Sequence, residues 1–330
     1  MKRKLDDSWE RLIEAMKAGS ERALARLITR VENRDDGWKD AMKTLYPQTG
    51  RARVFGITGS PGAGKSTLTN EIALRFTKQG CSIGIIAVDP SSPFTGGALL
   101  GDRLRMRDIA THEGIFIRSM ATRGVLGGLC QAAREVIRIL DASGRDIVII
   151  ETVGVGQDEI EVVRAADIVA LVCCPGQGDG IQAIKAGVME IADLYVVNKA
   201  DRDGADILTS EISAMLSLSS RPDEAIPPVL KTSALSRQGL DELVACLSEF
   251  RDKPPALKRP IRELVKEEIF CLMEGELRRM IEHGMSANGS LDGTIEEILT
   301  GKLDPYTVVE SLLQRYRLLD EEANKKGDAS

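Results

Sequence analysis

GSPGAGKST, Gly59 to Thr67, combines glycine, lysine and hydroxyl residues at a spacing suited to phosphate. Gly59, Gly64, Lys65 and Ser66 satisfy G-x-x-x-x-G-K-S. The stretch lies between the apolar run RVFGIT and the helical pattern STLTNEIALRFTKQ. Glycines there let backbone N–H groups converge on phosphate oxygens, and a helix N-terminus adds positive potential. Lys65 would reach the β and γ phosphates, and the Ser66 hydroxyl would ligate Mg²⁺. Gly59, Ser60, Pro61, Gly62, Ala63, Gly64, Lys65, Ser66 and Thr67 are therefore the candidate phosphate-binding residues. A plain Gly-rich strand-to-helix turn is the alternative, and the full spacing between a strand and a helix argues against it.

A second stretch, VVNKAD, ends an apolar run and reads N-K-x-D. The Asp201 carboxylate can accept two hydrogen bonds from guanine, at N1–H and the N2 amine. Adenine offers no such pair, and charge-assisted bidentate contacts are strong. The Lys199 stem can pack over a base, and Asn198 can tie this loop to the phosphate loop. The next run, LKTSAL, brings Ser233, Ala234 and Leu235, where a backbone N–H can meet guanine O6. A third stretch, ETVGVGQDEI, follows DIVII. Mg²⁺ takes hard oxygen ligands, including a carboxylate or two. The candidates are Asp89 at the end of SIGIIAVD, Asp102 in TGGALLGDR and Glu151 at the end of DIVIIE. Gly154 can bring its N–H to a γ-phosphate, and Gln157 or a neighbour can orient water. The candidate catalytic set read from these motifs is Lys65, Asp102, Glu151 and Gln157.

These residues need elements that hold them at one edge. RVFGIT, SIGIIAVD, IFIRSM, DIVIIE, DIVALVCC, LYVVNK and PPVLKT are short runs rich in Val and Ile. Helical patterns such as GGLCQAAREVIRILDAS separate most of them, which predicts a parallel sheet covered on both faces. Before residue 51 only helical spacing appears, in WERLIEAMKAG and in ERALARLITRVEN, with Ser20 as N-cap. RDKPPALKRP reads as a linker, followed by a long amphipathic helix, IRELVKEEIFCLMEGELRRMIEHGM, and two shorter ones. The expected fold class is α/β, a three-layer P-loop NTPase fold with a mostly parallel sheet. Residues 1–50 are a helical arm, 51–252 the nucleotide domain and 253–330 a helical region with a disordered tail.

The 330 residues carry a net charge of -6 at pH 7, which disfavours nucleic acid as a general partner. No apolar run approaches the ~20 residues of a membrane span. The N-terminus lacks an apolar signal-peptide core, so a cytoplasmic location is expected. The six cysteines form no CxxC, and only His112 and His283 are present. Reduced core thiols are the simpler reading than zinc or redox chemistry, including for Cys173 and Cys174 in IVALVCC.

Taken together, these motifs resemble the MeaB/ArgK-type GTPases, the methylmalonyl-CoA mutase-associated GTPases of the SIMIBI class. GSPGAGKST, VDPSSPFTGGALLGDRLRM, ETVGVGQDE, CCPGQGDGIQAIKAGVMEIAD, VVNKAD and LKTSAL follow that family's series in order. The resemblance implies a GTP-hydrolysing chaperone of an adenosylcobalamin-dependent acyl-CoA mutase, with GTP or GDP and Mg²⁺ bound. It implies gating of cofactor loading and protection of the mutase. It also implies a homodimer built through the C-terminal helices. A partner-coupling segment would carry Asp179, Gln182 and Lys185, the last also catalytic. Read alone, that segment is a Gly-rich turn entering a helix. The chain departs from the family pattern at ALLGDRLRM, where Arg103 and Leu104 stand for Lys and Thr, and at Phe94 and Gly180. An arginine finger is not assignable: Arg105, Arg107 and Arg123 are candidates, and each reads more readily as a surface arginine. A nickel-enzyme metallochaperone GTPase is the alternative, and it would call for His- or Cys-rich ligands that are missing here. A small-metabolite kinase would leave NKxD without a role.

Overall fold

Runs of Val and Ile without polar alternation have to hide both faces of a strand. In the computed structural model they do so; it describes residues 8–89, 109, 111–121, 128–152, 165–176, 192–219, 226–252, 261–286 and 290–315. The strands are β1 (Arg53–Gly59), β2 (Ile83–Asp89), β3 (Ile115–Ala121), β4 (Ile147–Thr152), β5 (Ile168–Cys173), β6 (Leu194–Val197) and β7 (Val229–Lys231). All pair in parallel, in the order β3-β2-β4-β1-β5-β6-β7. Each quoted apolar run thus became a strand, and the sheet is wholly parallel. The helices of the same unit are α1 (Trp9–Lys17), α2 (Glu21–Glu32), α3 (Trp38–Leu45), α4 (Lys65–Lys78), α5 (Gly128–Ala142), α6 (Ala205–Ser219) and α7 (Leu240–Asp252).

Side-chain alternation along each strand sorts the core into two layers. Ile57, Ile85, Ile149, Val172 and Val196 face Leu68, Ile72 and Phe76 of α4 and Leu243 and Leu247 of α7. On the opposite face, Ile86, Val88, Val148 and Ile150 meet Val136 and Leu140 of α5 together with Leu24, Leu27, Ile28 and Val31 of α2. Farther along, Leu171, Tyr195 and Val197 lie under Leu208, Ile212 and Leu216 of α6. Each such side chain contributes about 1.5–3 kcal/mol when fully buried. Helices therefore cover both sides of the sheet, giving three layers.

The chain groups into two compact units, within 1–258 and 259–330, so α1 to α3 share a unit with the sheet. Ser8 and Ser20 start α1 and α2 by accepting the backbone N–H groups of Arg11 and Ala23 at 3.4 and 3.3 Å. Polar ties then reinforce the apolar contact. Arg34 pairs with the buried Glu135 of α5, Arg118 of β3 with Glu32, and Arg145 with Glu21 at 3.1 Å. Asp141 of α5 accepts the N–H groups of Gly50, of Arg51 at 3.2 Å and of Ala52 at 2.9 Å. The passage from α3 into β1 is therefore held by one carboxylate.

The edge formed by the strand N-termini has its own repeated device. An aspartate stands immediately before β4, β5 and β6. Asp167 donates its N–H to Val54 O and accepts the Val54 N–H, both at 2.8 Å. Asp193 does the same with Val169 at 2.9 Å. Asp146 does so with Ser82 at 2.9 and 2.7 Å. Each side chain supplies an acceptor for a backbone N–H at the start of the neighbouring strand. Burial pushes the Asp167 carboxyl above its usual range, against the opposing pull of the Val54 N–H.

The second unit holds α8 (Ile261–Ser286), α9 (Ser290–Leu299) and α10 (Pro305–Arg315). Asp304 caps α10, accepting the N–H groups of Tyr306 and Thr307 at 2.9 and 3.0 Å, just ahead of Pro305 at the first position. On α8, Val265, Ile269, Met273 and Met280 are each between 43% and 55% exposed. Their spacing of four, four and seven residues places them on one helix face. The linker residues 253–260 and the tail 316–330 lie outside the described residues.

The aspartate ladder makes a stability prediction. Asp167→Ala leaves the Val54 N–H without its acceptor and should cost about 1–3 kcal/mol. Asp167→Asn keeps an accepting oxygen and sheds a partly buried charge, so it should lie within about 0.5 kcal/mol of the parent. Urea denaturation of both variants checks the pair, and equal losses would reject the hydrogen-bond account.

Candidate functional site

All three motif stretches leave the sheet at its carboxyl edge, where ligands of open α/β sheets bind. β1 runs into the phosphate loop at Gly59, whose φ is 139°. A Cβ there would stand 2.0 Å from Val172 O of β5, so only glycine lets the two strands meet at this point. Gly64 has φ 91° and forms the N-cap of α4 without any side-chain cap. A Cβ on it would come within 2.5 Å of the Asn198 amide nitrogen. The loop curls through the bond from Ala63 N–H to Ser60 O, 3.2 Å. Lys65 is 5% exposed, and its ammonium donates to Gly59 O and Ser60 O at 2.8 and 3.0 Å. The cation is thus stationed inside the loop.

β4 lies directly beside β1, with Glu151 in register with Ile57 and, across the other edge, with Ala87 of β2. That register turns Glu151 onto the α4 face, where its Oε1 accepts the Ser66 hydroxyl. Glu151 is 5% exposed. A hydroxyl and a carboxylate in contact form a hard-oxygen pair that suits Mg²⁺. Asp89 ends β2 on the same edge, its backbone in register with Ala121, while its side chain lies outside what is described. Asp102, Gly154, Gln157, Asp179, Gln182 and Lys185 also lie outside the described residues, as do Arg105, Arg107 and Arg123. Among the described residues no group of three or more His, Cys, Asp or Glu is placed to hold a metal.

The base-side motifs come together at the ends of β6 and β7. Asn198 is 1% exposed. Its amide donates to Ala63 O at 2.8 Å, and its oxygen accepts the Ala234 N–H at 3.1 Å and the Thr232 hydroxyl at 3.2 Å. Lys199 holds a left-handed φ of 58°, rare for a residue with a Cβ, and its ammonium donates to Gly62 O at 2.5 Å. Asp201 accepts the Ser233 hydroxyl at 2.5 Å. That hydrogen bond, first among several causes, holds the Asp201 carboxyl below the usual carboxylate range. The contribution of its anionic form is therefore present at neutral pH and lost only as pH falls through the lowered value. Ser233 N–H is taken by Gln238 O at 3.0 Å. With Ala234 N–H on Asn198, the exposed Leu235 carries the next N–H of the loop. The Asn198 and Thr232 contacts lie between motifs distant in sequence, and spacing alone gave no sign of the Thr232 bond.

A crowded glycine and an uncrowded one make separable predictions. Gly64→Ala should weaken GDP binding by roughly 100-fold or more, about 3 kcal/mol, because its Cβ meets the Asn198 amide. Gly80→Ala, at φ 87° with nothing within 4 Å, should leave binding unchanged. Calorimetric titration of both variants with GDP checks the contrast.

Comparison with known proteins agrees with this geometry. Residues 24–283 match the family model described as methylmalonyl Co-A mutase-associated GTPase MeaB. A putative GTPase of Pyrococcus horikoshii is 46% identical over 312 residues, spanning 93% of this chain and 98% of the relative. GTPase ArgK of Escherichia coli K12 is 36% identical, spanning 91% and 94%. The mitochondrial methylmalonic aciduria type A homolog of Caenorhabditis elegans is 31% identical, spanning 94% and 84%. The crystal structure of a protein called LAO/AO transport system kinase superposes with a TM-score of 0.67 at 29% identity, covering 94% of this chain and 98% of that one. The chain is a GTPase and belongs to the MeaB family, that of the methylmalonyl Co-A mutase-associated GTPases.

Proposed function

We propose that this GTPase is the nucleotide-driven chaperone of an adenosylcobalamin-dependent acyl-CoA mutase, gating cofactor loading and protecting the mutase. The observation that carries the nucleotide part is the Ser66–Glu151 contact. It joins the phosphate loop to the strand that leads into ETVGVGQDEI, so a change at the γ-phosphate acts on both at once. The partner is supported by the family description and by the name of the nematode relative.

In this reading the loop from Gly59 to Thr67 cradles the phosphates, and Lys65 moves from its carbonyl partners onto β and γ oxygens. Ser66 and Glu151 hold Mg²⁺, with Asp89 and Asp102 as further acids. The ion offsets charge on the β and γ phosphates. Asp201 takes the two guanine donors, the Lys199 stem covers the base, and the Leu235 N–H serves O6. Water attacks the γ-phosphorus, the bond to the β–γ bridging oxygen breaks, and GDP leaves with phosphate. Gly154 and Gln157 would meet the γ-phosphate and the water. Asp179, Gln182 and Lys185 would couple hydrolysis to the mutase. Hydrolysis is slow until the partner orders these segments. Two copies would pair through the exposed apolar face of α8, Val265, Ile269, Met273 and Met280. The protein would work in the cytoplasm, without nucleic acid or membrane.

Two measurements test this. Asp201→Asn exchanges an acceptor for a donor, so preference should move from guanine to xanthine nucleotides by about tenfold or more. Retained GTP affinity with no response to xanthosine triphosphate would reject the base assignment. Affinity capture from source-cell extract, with GDP or a non-hydrolysable GTP analogue, should recover a cobalamin-dependent mutase in a nucleotide-dependent manner. Recovery of nickel-enzyme precursors in its place would overturn the mutase reading.

A further inference from the structure

Apolar side chains fill nearly every buried strand position. Apart from the Tyr195 hydroxyl, the buried polar or charged side chains on the described strands are Thr58, Glu151 and Thr152. All three sit where β1 and β4 end. Glu151 has its partner in Ser66. The two threonines have no part in the scheme above. They are 4% and 0% exposed, and Thr152 Oγ1 donates to Thr58 Oγ1 at 3.1 Å. Because Ile57 is in register with Glu151, Thr58 and Thr152 form the next rung. Alternation turns them to the face opposite α4. Valine has the same shape and would fill both sites without any hydrogen bond to satisfy. A hydroxyl in such a place costs free energy unless paired. The pair therefore supplies something that packing does not.

Thr152 is the final residue of β4, and Thr58 the last before the phosphate loop begins. The β1–β4 ladder ends at Ile57 and Glu151, one rung before this pair, and strand ends fray. We propose that the Thr58–Thr152 hydroxyl pair is a positioning strap for GTP hydrolysis, pinning the end of β4 to β1 so that the Glu151 carboxylate stays on Ser66 and the metal. Both threonines are buried and face away from α4, so neither is placed as a nucleotide ligand. The strap acts through Glu151, one residue back on the other face, by stopping β4 from peeling away from the phosphate-loop strand. This rests on the reading of Glu151 as the metal-side acid.

The test uses the full-length protein with Thr152→Val, Thr58→Val, the double variant and Thr152→Ser. The valines should keep GDP affinity in EDTA within about twofold and lower kcat for GTP about tenfold with KM little changed. They should also raise the Mg²⁺ concentration needed for half-maximal nucleotide affinity. Thr152→Ser retains a donor and should recover most of both. The double variant should lose no more than a single one, since both remove the same bond. Valine variants with parental kcat and Mg²⁺ dependence overturn the strap. So does a serine variant as impaired as valine with a matching fall in melting temperature, because that pattern belongs to packing. Glu151→Gln with unchanged Mg²⁺ dependence would instead defeat the metal-side reading, whichever way the threonines behave.

Discussion

The Asn198 carboxamide joins the phosphate loop to the base loop. Its nitrogen holds Ala63 O, while its oxygen holds the Ala234 N–H and the Thr232 hydroxyl. A carboxamide can donate and accept at once, which neither a carboxylate nor an ammonium can do. Three loop ends thereby share one rigid plane. Much else is fixed by it: Gly64 must lack a Cβ to let that plane in, and Lys199, next in sequence, is driven left-handed to reach Gly62 O. Strain of that kind persists where the surroundings over-determine it, and such places cluster at ligand sites.

Around this point the sheet sorts its residues by parity. On β4, Ile147, Ile149 and Glu151 share the α4 face, whereas Val148, Ile150 and Thr152 share the other. One strand thus delivers an acid to the phosphate loop and a hydroxyl to the strand beside it. The same alternation on β1 brings Thr58 to that hydroxyl. Function and packing are written on alternate residues of the same few turns of chain.

The central strands were legible because a buried parallel strand leaves an apolar run, while the edge strands β3 and β7 show shorter runs that include Arg118, Ser119 and Lys231. The phosphate and guanine motifs were legible because their spacing is dictated by the ligand. Helices α3, α6 and α7 were not singled out individually, since each is short or lacks a sharp apolar stripe. The aspartates before β4, β5 and β6 passed unnoticed as well. D-I-V and D-L-Y look like ordinary loop acids until the neighbouring strand supplies the N–H. That Glu151 points at the phosphate loop was expected from its strand tip, while its bond with Ser66, 85 residues away, appears only in the structure. The Thr58–Thr152 bond was not, because threonine is a common strand residue and its hydroxyl declares a role only once a partner faces it. Helical spacing before residue 51 gave α1 and α2 but not their union with α5, which rests on apolar packing reinforced by ion pairs such as Arg34–Glu135.

That row of aspartates gives the sheet two unlike rims. At one rim, three carboxylates stitch the starts of β4, β5 and β6 to β2, β1 and β5. The opposite rim carries the phosphate loop and is left for an anion. Order is therefore anchored at the back of the sheet, as in a comb held by its spine. A change at the phosphate-loop rim would thus leave the strands that bear it anchored.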